Sequence, residues 1–539
     1  MTIKVHLAIA RALQECGIDT ISGLIGDANL YMVDAFIRDC GGRFLSSANE
    51  AGAVCMALAY GQMSGTVGVA SVTHGAAVTN TLTGLAHGVK ARVPLLLLCG
   101  DTAFADRDNF QNIPQREAIV STGAGFEQLR APETIQDDVA TALRRALVER
   151  RPIALNIPVE FQWLDIEQTP RQPRWPDLRA IVPESADLDD AIGVIAAARR
   201  PVVLAGRGAI DDEARAALIR LAERIGAPLA TTLQARDLFA GEAYNLGICG
   251  TLSQDAVIDA LVASDCLIAF GASLNPYTLS HGTFAKGKRV VQVDIDPGQI
   301  GRYFIPDVGV VGDAARTADL FVHWLDAAEI EPSGGRGDDV AQAVATPRPA
   351  PLSGPPGGIG AGEAVASLDA LFPKDRVVVT DGGRFLGEVW KNLTVGHPRD
   401  FLITLAFGSI GLGMGHAIGA AAARPGRPVL HVTGDGGFVL GGIAEFHTAV
   451  RHNLDIVTVV FNDEAYGAEH VQFRNKGMDP ALSMFDWPDF ARVAEAMGGQ
   501  GFTVRTRAEL DDALAAVATR DRPVLIDIRL DPDAMPPFP

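Results

Sequence analysis

From end to end the chain alternates two kinds of segment: short apolar runs rich in Val, Ile and Leu, such as Val93 to Cys99 and Pro152 to Pro158, and amphipathic, alanine-rich stretches of helical length. Runs that are apolar on both faces suit strands buried between two layers, and the intervening helices supply the crossovers that parallel strands need. The pattern predicts an α/β protein of parallel, doubly wound sheets. With 539 residues, the chain has room for about three such domains.

Composition shifts place the boundaries. A first domain, residues 1–167, opens on MTIKVHLAIARALQECG, which reads as an amphipathic helix, and ends before the proline-rich stretch from Gln168 to Pro183. A central domain, 185–330, includes RRPVVLAGRGAI and strands expected around Cys266 to Gly271 and Val290 to Ile295. Residues 331–360 are dominated by Gly, Pro, Ala and Ser and read as a linker. A third domain follows, 361–530. No short-period repeat points to a solenoid.

A formal charge of −19 opposes binding to phosphate backbones or anionic lipid, so neither nucleic acid nor membrane is an expected partner. The longest apolar runs are of strand length, too short to span a bilayer. The opening segment has no long apolar core and no small-residue cleavage site. Six scattered cysteines show no zinc or redox spacing, which fits a reducing, cytoplasmic setting.

The most distinctive motif lies in the third domain. After the strand-like RPVLHVT comes Gly434-Asp435-Gly436-Gly437-Phe438, then the helical AEFHTAVRHN, a second strand DIVTVVF, and Asn462-Asp463-Glu464-Ala465-Tyr466-Gly467. Two strand ends are thereby brought to one sheet edge, where open α/β sheets hold ligands. Glycines let backbone amides approach a diphosphate; Asp435 and an oxygen from the Asn462/Asp463 turn can hold a magnesium ion that neutralises it. A GDG triplet alone is an ordinary turn. The two turns, separated by one helix and one strand, are a far narrower pattern.

That pattern resembles the thiamine-diphosphate (ThDP) signature of the superfamily containing acetolactate synthase, pyruvate oxidase, benzoylformate decarboxylase and pyruvate decarboxylase, and the resemblance extends over nearly the whole chain. It implies three domains: pyrimidine-binding, central and diphosphate-binding. Glu50, in SSANEAGAVCMALAYGQMSG, looks like the family's glutamate, followed by a helix and a turn at Ala59-Tyr60-Gly61. By that likeness Glu50 holds N1′ of the aminopyrimidine and promotes loss of the thiazolium C2 proton, giving the ylide. Gly408-Ser409-Ile410-Gly411-Leu412-Gly413 resembles the segment that bends the cofactor, with the Gly408 carbonyl facing the 4′-amino group and Ile410 as the wedge. Thr380-Asp381-Gly382-Gly383 sits where the family places another cofactor loop. The resemblance implies cofactor contacts at Gly434, Asp435, Gly436, Gly437, Asn462, Tyr466 and Gly467, and a Mg²⁺ set drawn from Asp435, Asn462, Asp463 and Ala465. Which of Asn462 and Asp463 ligates is open.

Substrate-side candidates point toward different relatives. Asp27, in GLIGDANL, resembles an aspartate of pyruvate decarboxylases; Glu469 resembles their second active-site acid; His74 falls near a histidine of benzoylformate decarboxylase. Phe110-Gln111 resembles the pair of acetolactate synthase and pyruvate oxidase in which the glutamine touches the bound intermediate. The aspartate-rich flavin segment in the middle domain of acetolactate synthases is replaced by FGASLNPYTLSHG, so the likeness brings ThDP and Mg²⁺ but does not bring FAD with it. The activity implied is decarboxylation of a 2-oxo acid through the ylide and an enamine, ended by protonation or by ligation to a second carbonyl. Two alternatives stay open: a carbon–carbon lyase for an acyloin, diketone or 2-hydroxyacyl substrate, and a catalytically silent ThDP-binding homologue. The AGRGAI segment lacks the full fingerprint of a dinucleotide domain. A homodimer or homotetramer with active sites between subunits is implied by the resemblance alone.

Overall fold

A computed structural model describes residues 2–106, 108–168, 172–175, 181–351 and 353–534. The expected alternation is present as three six-stranded sheets of parallel pairs. The first contains β1 (Thr20–Gly23), β2 (Arg43–Ser46), β3 (Gly68–Val72), β4 (Leu95–Asp101), β5 (Gly125–Gln128) and β6 (Pro152–Pro158) in the order β2-β1-β3-β4-β6-β5. The central sheet contains β7 (Pro201–Ala205), β8 (Leu229–Thr231), β9 (Asn245–Ile248), β10 (Cys266–Phe270), β11 (Arg289–Asp294) and β12 (Val308–Val311), ordered β9-β8-β7-β10-β11-β12. The third contains β13 (Val377–Thr380), β14 (Phe401–Ile403), β15 (Val429–Gly434), β16 (Ile456–Asn462), β17 (Gln500–Val504) and β18 (Val524–Arg529), ordered β14-β13-β15-β16-β18-β17. The first and third sheets thus share one winding. In each, chain order reverses between the first and third strands, and the carboxyl ends of those two strands flank a crevice.

Two compact units carry these sheets. One gathers Met1–Trp175, Ser353–Leu386 and Leu402–Phe538, so the first and third sheets belong together; the other gathers Pro176–Leu352 and Gly387–Phe401 around the central sheet. Of the proline-rich boundary stretch, residues 169–171 and 176–180 lie outside the described residues.

Three local expectations need correction. Thr2–Lys4 is a short strand paired with Asp165–Glu167, and the opening helix begins only at Val5. The stretch read as a linker contains a helix, Asp338–Ala345, because Val340 finds an apolar cluster of the central unit in which to bury. Ala59-Tyr60-Gly61 is no turn: helix α1, Glu50–Ser64, runs straight through it. Gly61 serves close packing instead, since a Cβ there would sit 2.5 Å from the Gly68 nitrogen of β3.

Helices α1, α2 (Ala76–Ala91) and α3 (Gly413–Ala423) show how the first and third sheets are joined. A helix that is buried nearly all round must be apolar or small on every face, and α1 and α3 both are. They cross at glycines: a Cβ on Gly415 would lie 2.7 Å from Cys55 Cβ, and one on Gly419 only 2.1 Å from the Met56 carbonyl oxygen. Gly419→Ala is therefore expected to destabilise the protein by about 1–3 kcal/mol through overpacking. Gly193→Ala, in helix Ala186–Ala196 with nothing within 4 Å of the new methyl, is expected to stabilise by about 0.5–1 kcal/mol. Urea unfolding of the two variants, read by circular dichroism, tests the opposite signs.

Candidate active site

The crevice of the third sheet lies between the ends of β13 and β15, with β16 beside them. Thr380 ends β13, and the buried carboxylate of Asp381 that follows is engaged by backbone and hydroxyl donors. Its Oδ1 accepts from the Gly382 N–H (2.7 Å) and the Thr404 hydroxyl (3.2 Å); its Oδ2 accepts from the N–H groups of Gly411 (2.9 Å) and Gly413 (3.1 Å). Burial raises the proton affinity of this group and the four donors oppose it. Asp381 thus shapes the segment ahead of α3. Gly408 and Gly411 take left-handed φ values of +79° and +84°, which glycine adopts without a Cβ clash. Ile410 lies against Gly382, where a Cβ would come within 2.8 Å of its Cγ2.

At the end of β15, Asp435 begins a helical turn, Asp435–Gly437. Its Oδ1 accepts the Gly436 N–H at 2.8 Å, and its Oδ2 accepts the Ala465 N–H at 3.2 Å and the Trp487 indole N–H at 3.0 Å. Gly436 must lack a side chain, because a Cβ would stand 2.3 Å from the Tyr466 ring. Asp463, at the end of β16, is also buried. Burial, reinforced by Asp463, pushes the Asp435 carboxyl up to about 7. Burial likewise pushes Asp463 up to about 6, against the pull of the Arg384 guanidinium. Two buried carboxylates that interact in this way could hold a cation.

Asn462 is turned elsewhere. Its Nδ2 donates to Asp527 Oδ1 at 2.9 Å, and its Oδ1 accepts the Glu464 N–H at 3.2 Å. Gly467 is pressed between Asp463 and Arg384, with a Cβ position 2.7 Å from Asp463 Oδ2 and 2.9 Å from Arg384 Cδ. Glu469 is exposed in the first turn of α4 (Gly467–Asn475), and the structure places it outside this cluster of hydrogen bonds.

The crevice of the first sheet collects the other candidates. Asp27 follows β1 and His74 follows β3, and Thr73 links them: its hydroxyl donates to Asp27 Oδ1 at 2.8 Å and lies 3.2 Å from His74 Nδ1. Asp27 is exposed and His74 buried. The Gln111 carbonyl packs onto Gly75, where a Cβ would come within 2.3 Å of its oxygen. Phe110, its neighbour, is 94% exposed. Glu50 is the first residue of α1, half-buried, with its Oε2 accepting from Asn80 Nδ2 of α2 at 2.9 Å.

Sequence reasoning passed over Asn80, Arg384 and Trp487. Arg384 directly follows the Thr380–Gly383 turn and could have been found there. Asn80 and Trp487 carry no local signal, since each acquires its role only by folding onto a distant carboxylate.

Comparison with known proteins gives matches to all three parts of the thiamine pyrophosphate enzymes: the N-terminal TPP binding domain over residues 3–121, the central domain over 188–320 and the C-terminal TPP binding domain over 381–528. Similar chains include an acetolactate synthase large subunit from Parasynechococcus marenigrum, 30% identical over 555 residues that cover 98% of this chain and 88% of the relative. A probable acetolactate synthase large subunit from Methanocaldococcus jannaschii is 28% identical, covering 99% and 93%. A sulfoacetaldehyde acetyltransferase from Rhodobacter capsulatus is 28% identical, covering 95% and 91%.

Proposed function

The chain belongs to the thiamine pyrophosphate enzymes of the acetolactate synthase-like superfamily, and from that premise we propose that it is a Mg²⁺-dependent enzyme that removes carbon dioxide from a 2-oxo acid and then protonates the remaining acyl carbon or joins it to a second carbonyl. The observation that carries this reading is the pair of buried carboxylates, Asp435 and Asp463, at the ends of β15 and β16, beside the switch point of the third sheet. Among the described residues no group of three or more His, Cys, Asp or Glu is arranged to hold a metal ion by itself. Two carboxylates suit Mg²⁺, which commonly completes its shell with phosphate oxygens and water.

The residues fit the cofactor. Asp435, Asp463 and the Ala465 carbonyl would hold the metal; Asn462, engaged with Asp527 and Glu464, would brace the turn. The backbone at Gly434, Gly436, Gly437 and Gly467, together with Tyr466, would receive the diphosphate. Gly408 and Ile410 would receive the two rings. Bound ThDP supplies a carbon nucleophile for the substrate carbonyl and an electron sink for its carboxylate. Glu50 holds and exchanges a proton with the aminopyrimidine, oriented by Asn80. Asp27, Thr73 and His74 form a chain of hydrogen-bonding groups that can carry a proton to or from the substrate. Gln111 lies beside them as a contact for the acyl group, and Glu469 is the second acid.

We place this enzyme in the cytoplasm, where six cysteines without disulfides are at home, and assemble it as a homodimer or homotetramer with sites shared between subunits. Among the described residues no helix is long and apolar enough to cross a membrane.

A second reading, cleavage of an acyloin, diketone or 2-hydroxyacyl substrate, is favoured by the same Asp27-Thr73-His74 chain, which can accept a proton as readily as give one. Proton NMR of products decides between them, using the protein with ThDP, Mg²⁺ and a panel of 2-oxo acids and acyloins, and including sulfoacetaldehyde. Carbon dioxide with an aldehyde or a 2-hydroxy ketone is expected from a 2-oxo acid. Consumption of acyloins alone would replace the first reading with the second.

A further inference from the structure

We infer that Glu445 is a positioning residue for Glu50: its buried carboxylate clasps the backbone that delivers Glu50 and ties it to the diphosphate turn. The inference rests on the reading of Glu50 as the acid that serves the aminopyrimidine. Glu445 lies in the helix Ile443–Arg451, which continues through Phe438–Gly442 from the Asp435–Gly437 turn. The connection is helical throughout, and Phe438–Gly442 is one wide π-type turn, a feature frequent at functional sites.

Glu445 is 1% exposed. Its carboxylate receives the Ala48 N–H on both oxygens, at 3.2 and 3.3 Å, and the Asn49 N–H on Oε1 at 3.1 Å. These donors belong to the two residues immediately ahead of Glu50, almost four hundred positions away in the chain. Asn49 in turn caps α1, its Oδ1 accepting the Gly52 N–H at 2.7 Å. Gly52 completes the clasp from the other side: a Cβ there would stand 2.0 Å from Glu445 Oε1. The start of α1 is thus held by its own cap and by a carboxylate from the third sheet, whose charge also suits the positive end of the helix.

A buried carboxylate is a costly way to glue two domains, since an apolar side chain of that volume packs without desolvating a charge. The carboxylate gains a purpose if the direction of the Ala48 and Asn49 N–H groups, and so of the Glu50 side chain, has to be set accurately. Mutating the outer partners that orient metal-ligating side chains typically costs about ten- to a hundredfold in affinity or activity, and a loss of that order is expected for a residue that orients Glu50.

The test uses the full-length protein with ThDP and Mg²⁺, and compares wild type with Glu445→Ala, Glu445→Gln, Gly52→Ala and Glu50→Gln. Three quantities are measured: the rate and pH profile of deuterium exchange at C2 of bound ThDP by quenched NMR, the ThDP dissociation constant, and the unfolding temperature. Glu445→Ala is expected to slow exchange about tenfold or more with its pH profile displaced, while ThDP affinity changes little. Glu445→Gln, which keeps the volume and one acceptor, is expected to recover part of the rate. Gly52→Ala, with Glu445 intact, is expected to reproduce the defect. If the Ala variant does not fold, the Gln and Gly52 variants carry the test. A lowered unfolding temperature with wild-type exchange and pH profile would reduce Glu445 to domain glue and overturn the inference. If Glu50→Gln exchanges as fast as wild type, the reading of Glu50 falls and the inference falls with it; slow exchange in Glu50→Gln alone overturns only the role of Glu445.

Discussion

Replacing Glu50 by glutamine is expected to lower turnover by about a hundred- to ten-thousandfold, the range carried by a positioned proton-transfer group, with little change in ThDP affinity. The substitution keeps the side chain's size, and an amide oxygen can still accept the Asn80 N–H that now reaches Oε2 at 2.9 Å. What glutamine cannot do is hold and return a proton. Asn80→Ala provides the companion measurement: Glu50 keeps its acid but loses a partner that aims it, so a smaller loss is expected. Steady-state rates on the substrate found by product analysis, with ThDP binding followed by fluorescence, check both. Turnover of Glu50→Gln within threefold of wild type would remove Glu50 from the chemistry and leave α1 as packing alone.

How much of this could be read from the chain differs from element to element. Strands such as Pro152–Pro158 were legible to the residue because a run apolar on both faces and bounded by prolines admits little else. Parallel pairing followed from the helices between strands. That the first and third sheets share one winding was not legible, because apolar runs mark strands without saying which neighbours they pair with. Gly434 to Gly437 and the Asn462 to Gly467 turn could be found because each is contiguous. The engagement of Asn462 with Asp527, which lies 65 residues further on and takes its amide N–H, was not legible at all. Ala59-Tyr60-Gly61 misled for a physical reason: glycine serves both as a turn residue and as the only residue that lets two backbones touch, and here the second use prevails. Asp381 was visible as part of a turn, but not as the carboxylate that binds Gly411 and Gly413, since a side chain committed to distant backbone amides leaves no pattern in sequence.

At the proposed metal turn, the effect of a cation on stability depends on pH. Burial, with Asp463 nearby, raises Asp435 to about 7 in the chain without metal, well above the usual value for an unfolded aspartate of about 3.9. A raised folded-state value means that the folded chain holds this proton more tightly than the unfolded chain. The contribution to stability is therefore present at low pH and is lost as pH rises through about 7, leaving two repelling carboxylates at alkaline pH. A divalent cation needs the ionised form and relieves that repulsion, so its affinity should climb between pH 6 and 8, by up to about tenfold per pH unit below the Asp435 value, with a proton released on binding. The rise in unfolding temperature given by Mg²⁺ with ThDP should accordingly be larger at pH 8 than at pH 6 at fixed ligand concentration. Asp435→Asn should abolish the rise at every pH, because a neutral amide keeps the shape but supplies no charge to the metal. Titration calorimetry in two buffers of different ionisation enthalpy counts the protons released, and thermal unfolding with and without Mg²⁺ and ThDP gives the stabilisation. A wild-type rise that does not vary across this pH range would mean that Asp435 is already ionised before metal arrives, and a rise retained by Asp435→Asn would move the cation away from this turn.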